Sequence, residues 1–249
     1  MTAASGPHFT RETLTFLRAL KRHNDREWFR EHRDRYEQHV RAPMLAIIDR
    51  LARDLPRIAP QLVVSPKVSL YRIYRDTRFS SDKAPLKTHV AAIFPCRGLE
   101  KHEGAGLYFE VAPDHSWIGG GMYAPQTWQL RMVRERIASD PQGFRRIVES
   151  PRFRCSAGPL DGDRLMRVPP GFPSGHEAAE YLKFRQFLAG REFPGAFATT
   201  SGFYVELLKI FRAVAPLTRF LNEPLLAAKQ DWPLGSPVDS RGSTRLAAP

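Results

Sequence analysis

Residues 72–88 concentrate the side chains best suited to holding an anion. Arg72, Arg75, Arg78, Lys83 and Lys87 stand against two carboxylates, Asp76 and Asp82, with the hydroxyls of Thr77, Ser80 and Ser81 among them. A guanidinium offers a planar pair of donors and an ammonium a mobile point charge, so the loop suits a phosphate or carboxylate. In this reading Asp76 and Asp82 orient the guanidiniums, or one of them acts as a catalytic base. The competing reading is local: the two carboxylates pair with neighbouring cations, brace a long loop and leave no ligand site.

Two further features carry chemistry. Gly119, Gly120 and Gly121 end a short apolar stretch ahead of Pro125. Their backbone N–H groups can approach an anion near a helix start. Equally, they can form a bulge that lets Trp117 or Tyr123 pack. No Gly-Lys-Ser/Thr follows, and the spacing is neither a Walker loop nor a dinucleotide fingerprint, so no cofactor is implied. His176, ahead of Glu177 and Lys183, is the best candidate for a titrating catalytic group, since a loop histidine can give or take a proton near neutral pH. Its plainer role is to cap the short helix that follows.

Other candidates are weaker. His32 and His39 lie seven residues apart on one helical face without a third ligand, so no metal is assigned. The run 171–175 places serine one position late for a nucleophile elbow. Cys96 and Cys155 read as buried packing residues, and Trp28, Phe29 and Tyr36 as a core stripe before a base-stacking one.

These groups need a scaffold, and the hydrophobic pattern describes one. Thr10 opens a helix with Phe9 and Leu14 as a staple. Asn24, with Glu27 three residues on, reads as the cap of a second helix, which carries apolar residues through Leu55 and is kinked or split at Pro43. Residues 68–74, 88–94, 107–111 and 117–119 are short β-branched and aromatic runs separated by Asp, Gly, Pro and Ser, as in an antiparallel meander. Helical spacing returns after Pro125 and again near Pro141. Residues 151–194 read as loop with one short helix near 177–182, before helices at 203–214 and 217–228 separated at Pro216. The expected architecture is α+β, a central antiparallel sheet flanked by N-terminal and C-terminal helices. It forms a single domain over residues 9–228, with a tail at 229–249 that is polar and disordered at its end.

Composition narrows the function classes. Of 249 residues, 42% are hydrophobic, enough for a buried core, and the formal net charge is +12. That charge is spread as +4, +2, +4 and +2 over residues 1–60, 61–120, 121–190 and 191–249, with no basic arm or tail. A nucleic-acid binder ordinarily gathers its cations on one face, so nucleic acid remains the second reading. Two cysteines build no disulfide framework. No run reaches the roughly 20 apolar residues of a membrane span, and the start of the sequence lacks a secretory h-region. A soluble, cytoplasmic protein with no membrane association is expected.

Several motifs also carry a resemblance. Residues 24–29 (NDREWF), 74–85 (YRDTRFSSDKAP), 119–125 (GGGMYAP) and 167–172 (RVPPGF), then His176 and residues 181–183 (YLK), run in the order of one family. Across residues 9–228 the chain resembles the domain of unknown function (DUF) 2461 family. The likeness implies kinship and no activity, and it adds weight to the Arg/Asp/Lys loop as a site. One position departs: Leu86 stands where the family pattern carries tyrosine before the lysine.

The sequence therefore points to a basic cleft for an anionic, phosphate- or carboxylate-bearing small molecule. Arg72, Arg75, Arg78, Lys83, Lys87 and Gly119–Gly121 would bind it, with His176, Asp76 and Asp82 as acid–base candidates. The alternatives are a nucleic-acid binder using a distributed basic surface, and an interaction protein with no ligand.

Overall fold

The structure, a computed structural model, describes residues 6–78 and 80–230. The expected tail lies mostly outside the described residues, although 229 and 230 close the last helix.

Helix α1 (Arg11–Arg22) starts after Thr10, whose N–H donates to the Thr13 hydroxyl at 3.2 Å, and buries Leu14, Phe16, Leu17 and Leu20. Helix α2 (Arg26–Glu31) is capped by Asp25, whose Oδ1 accepts from the Trp28 N–H at 2.7 Å. The cap is thus one residue later than Asn24, because Asn24 is engaged elsewhere. Its side-chain amide donates to the Leu86 carbonyl at 2.9 Å and accepts from the Leu86 N–H at 3.0 Å. One side chain so closes both backbone groups of a residue 62 positions away.

Helix α3 (Arg33–Tyr36) runs into a π-helical turn, Glu37–Arg41, and then α4 (Ala42–Asp54), where Pro43 sits in the first turn. The helical run is continuous through this point, so Pro43 removes the N–H that would meet the His39 carbonyl four residues back, beside the π-helical turn. The distorted turn releases the His39 carbonyl, which accepts from the buried Thr13 hydroxyl at 2.5 Å.

The sheet has the order β1 (Val90–Phe94), β2 (Gly106–Val111), β3 (His115–Met122) and β4 (Phe187–Pro194), antiparallel throughout. Residues 68–74 do not form the expected strand. Ser65 caps, and Pro66 begins, a short helix α5 (Pro66–Ser69). Beyond it, residues 70 and 71 only bridge to β1, with the Tyr71 N–H on the Ala91 carbonyl at 3.1 Å. Strand β4 was hidden inside the glycine- and proline-rich region. Its alternation is weak because Gly190 and Arg191 occupy mid-strand positions.

Between β3 and β4 come α6 (Thr127–Ser139), α7 (Pro141–Val148), α8 (Pro151–Ala157) and α9 (Ala179–Leu182). The described residues close with α10 (Phe203–Gln230), which continues through Pro216 and Pro224. Packing of its apolar stripe outweighs the hydrogen bonds those prolines remove. This helix covers one face of the sheet, with Phe211 5.7 Å from Phe94 and Phe203 6.0 Å from Phe109, centroid to centroid. The two-residue period of the strands then dictates the rest. Leu107, Phe109, Ile118 and Ala189 point to the core, while Tyr108, Glu110, His115 and Trp117 share the opposite face and are partly exposed. No described helix is long and apolar enough to cross a membrane.

Candidate functional site

The basic loop is a hairpin hung on Asn24. Tyr74 bridges to Leu86, the Arg75 N–H donates to the Pro85 carbonyl at 2.9 Å, and the Lys87 N–H to the Ile73 carbonyl at 2.8 Å. At its tip the Arg78 Nε and Nη2 donate to Asp76 Oδ1 and Oδ2 at 3.0 and 2.7 Å. The Arg78 side chain, followed by its backbone N–H, pulls the Asp76 carboxyl down to about 2. Asp82 accepts from the Ala84 N–H at 2.9 Å and from Arg75 Nη1 at 2.5 Å, and these bonds, in that order, lower its pKa too. Lys83 donates to the Thr77 carbonyl at 3.1 Å. Carboxylates bound in this way are poor proton acceptors near neutral pH. Their geometry is that of braces.

Arg72 and Lys87, at the two ends of the hairpin, meet other partners. Lys87 Nζ lies 4.6 Å and Lys101 Nζ 4.3 Å from the centroid of the Tyr71 ring. Among the described residues, neither ammonium has a carboxylate within ion-pair distance. Burial lowers the pKa of both, and the charges of Arg72 and Lys101 depress Lys87 further. His102 stacks on the same ring at 5.8 Å, and burial together with the two lysines lowers its pKa as well. Burial pushes the Tyr71 phenol up to about 12, so it stays neutral. The result is a half-buried group of like charges without a counter-ion, held against an aromatic face.

Beside it on the sheet runs a chain of acid–base groups. The Tyr108 hydroxyl donates to Glu110 Oε2 at 2.5 Å. His115 faces Glu110 Oε1 through Nε2 at 3.4 Å and Asp114 through Nδ1 at 3.0 Å, while His89 Nε2 is 3.8 Å from Glu110. Burial lowers the pKa of His89 against the pull of Glu110. At His115 burial acts in the same direction, but the bonds to Asp114 and Glu110 prevail and raise it. Burial, then the bond to Glu110, raises the Tyr108 phenol far above its ordinary value. Trp117 lies 6.0 Å from Tyr108 and flat on the sheet.

Of the three glycines, Gly119 makes room for that indole. A Cβ on Gly119 would meet the Trp117 ring at 2.5 Å, and one on Gly190 of the neighbouring strand would also collide with it. Gly121, at φ +127°, has the left-handed geometry that favours glycine. Gly119 and Gly121 share the outer face with Trp117, whereas Gly120 pairs with Leu107 on the inner one. β3 continues through all three residues, with no interruption of its pairing.

Of the residues singled out from the sequence, the fold brings Arg72, Lys87, Gly119 and Gly121 to this face. Arg75 reaches its margin, close enough to influence His89. Arg78 and Lys83 remain at the hairpin tip. His176 is elsewhere: its Nδ1 accepts from the Ala178 N–H at 3.0 Å ahead of α9, and the adjacent Glu177 bonds Gln142 and Arg145 of α7. His32 stacks on Trp28 at 4.1 Å. Cys96 is buried as expected, but Cys155 is exposed. Among the described residues no three His, Cys, Asp or Glu side chains gather as metal ligands.

A family model described as "Conserved hypothetical protein (DUF2461)" matches residues 12–220. The chain belongs to that family. Among curated proteins, no match is found. In this DUF2461 member the departing residue, Leu86, is 1% exposed and packs in the core, with both of its backbone groups held by Asn24. Tyr71, Lys101, His102, Tyr108, Glu110 and His115 were not singled out from the sequence. The visible signal was the alternation of Tyr108 and Glu110 along one strand; which loops meet that face is a property of the fold.

Proposed function

We propose that the outer face of the sheet binds an anionic small molecule carrying a phosphate or carboxylate. Lys87, Lys101 and Arg72 contact the anion, with Arg75 at the margin, and Tyr71, Tyr108 and Trp117 form the floor. The observation that carries this reading is the pair of half-buried ammoniums on the Tyr71 ring, with no carboxylate partner among the described residues. Holding two desolvated cations together is unfavourable, and an anion between them relieves both the desolvation and the repulsion. Arg78, Lys83, Asp76 and Asp82 support the hairpin in this reading, and His176 braces the turn ahead of α9.

The test is a thermal-shift panel of phosphate, sulfate, citrate, sugar phosphates and nucleotides. A ligand at 100 times its Kd adds about 2.7 kcal/mol of stability. A shift with at least one anion, lost in Lys87→Ala and retained in Arg78→Ala, supports the reading. No shift with any anion refutes it.

A single-stranded nucleic acid is the second reading. It is favoured by three aromatic rings beside cations on an open sheet face, an arrangement on which bases stack. It predicts oligonucleotide affinity that falls steeply with salt, whereas a small-molecule site takes mononucleotides or simpler anions as well as oligomers.

A further inference from the structure

An open cleft of about 410 Å³ lies along residues 70–74, walled on its far side by α2, α3 and the π turn. Its size is that of a site for a small molecule. Phe29, Tyr36, Ile73 and Tyr74 supply an apolar and aromatic lining, and Arg33 and Arg72 stand with it. Phe29 meets Tyr36 at 5.2 Å and Tyr74 at 5.8 Å, both edge-on. Tyr74 nevertheless remains 46% exposed, so one aromatic wall is left uncovered.

The charges are unbalanced as well. Glu37, the carboxylate of the lining, is taken by Arg41 at 3.2 Å. Arg33 and Arg72 have no carboxylate within ion-pair distance among the described residues. The cleft also adjoins the lysine pair. Tyr71 carries both ammoniums on its ring and lines the cleft, and Arg72 lines it while its charge acts on Lys87.

We propose that this cleft is the second compartment of the sheet-face site and receives the aromatic ring of an aryl-bearing anion whose charged group lies on Lys87 and Lys101. The inference rests on the anion-binding reading and adds the chemical class of the ligand's other half. An aromatic group entering the cleft covers the exposed Tyr74 ring and stacks with the guanidiniums at its rim, while its anionic substituent neutralises the lysines. A simple anion gains only the second of these.

Titration calorimetry with inorganic phosphate, 1-naphthyl phosphate and 1-naphthol tests this. In the wild type, 1-naphthyl phosphate is expected to bind at least tenfold tighter than phosphate, with 1-naphthol weaker than 1-naphthyl phosphate. In Arg33→Trp, where an exposed side chain is replaced by one that fills the mouth, the advantage of the aryl phosphate over phosphate falls below threefold. A melting curve confirms that the variant is folded. Equal affinity of the two phosphates in the wild type overturns the cleft proposal and leaves the anion site standing, as does an advantage that survives in Arg33→Trp. Absence of binding by both phosphates overturns the cleft and the anion site together.

Discussion

The hairpin tip and the sheet face are both cationic, and they are built in opposite ways. At the tip, Arg78 and Arg75 each hold a carboxylate from the same loop. On the face, Lys87 and Lys101 share a phenol ring and, among the described residues, have no acidic partner. Both regions gather cations, but the ion pairs are at the tip. The tip is satisfied and exposed, so ligand binding there would have to break existing pairs. The face is unsatisfied and half-buried, so in the proposed reading an incoming anion completes it. Unpaired charge, more than the number of cations, distinguishes a site from a brace.

The comparison breaks most directly through the lysines. Replacing both with methionine in Lys87→Met/Lys101→Met removes two charge-assisted contacts and should weaken binding of whichever anion the panel identifies by roughly tenfold to a hundredfold. Arg78→Ala should leave it within about twofold, since Arg78 is not among the contacts. The same double variant should melt at a higher temperature without ligand. Both amines have folded-state pKa values lowered from 10.5. Their charged forms therefore oppose folding, and stability rises as pH climbs through the folded values toward 10.5. Stronger anion binding by the methionine variant, or a lower melting temperature, contradicts this difference between tip and face.

Asn24 supports both regions by holding Leu86 between them. Asn24→Ala strands a backbone donor and acceptor that are otherwise paired. It should cost about 2 kcal/mol, or a fall in Tm of about 4–8 °C, measured by calorimetry.

A smaller effect sharpens the description of the face. Sulfate keeps its charge between pH 7.5 and 5.5, so it reports on the protein alone. Its affinity should rise severalfold on acidification as His102 and His89 gain protons. His102 faces Tyr71, Lys101 and Lys87, and His89 faces Glu110, His115, Lys87 and Arg75. Burial delays both protonations to below 6.5, whereas His115, raised by Asp114 and Glu110 on the same face, gains its proton first, so the increase begins with His115 and continues into the lower part of the range. A pH-independent sulfate affinity removes the histidines from the site.

Least of all should follow from Asp76→Asn, which breaks the exposed pair at the tip. The folded-state pKa of Asp76 is depressed to about 2, so the pair's contribution is full above the ordinary value of 3.8 and fades as pH falls toward 2. At neutral pH only a marginal fall in Tm is expected, because exposed ion pairs are screened. A large loss of anion affinity in this variant would return the tip to the list of binding elements.

Much of the fold was legible in the sequence. The apolar period of three and four residues revealed α1 and α6, and three short β-rich runs revealed β1, β2 and β3. The failures have local causes. Ser65 and Pro66 impose a helical turn where β-branched residues suggested a strand, and the glycine that accommodates Trp117 weakens the pattern of β4. In α10 a long buried stripe overrides two prolines. Of the candidate site, Arg72 and Lys87 were recognised for their charge, but the tip residues between them drew equal attention. Charge content is written in the sequence, while pairing depends on side-chain geometry.

By itself the sequence determined which segments alternate, which carry charge and where the backbone turns, because these follow from neighbours a few residues apart. The tertiary structure alone decided that Lys87 and Lys101 meet on Tyr71, that Glu110 meets Tyr108 and His115, and that Asn24 holds Leu86. Most of these contacts join separate elements. Their electrostatic consequences arise only when folding removes water from groups that solvent screens in the unfolded chain.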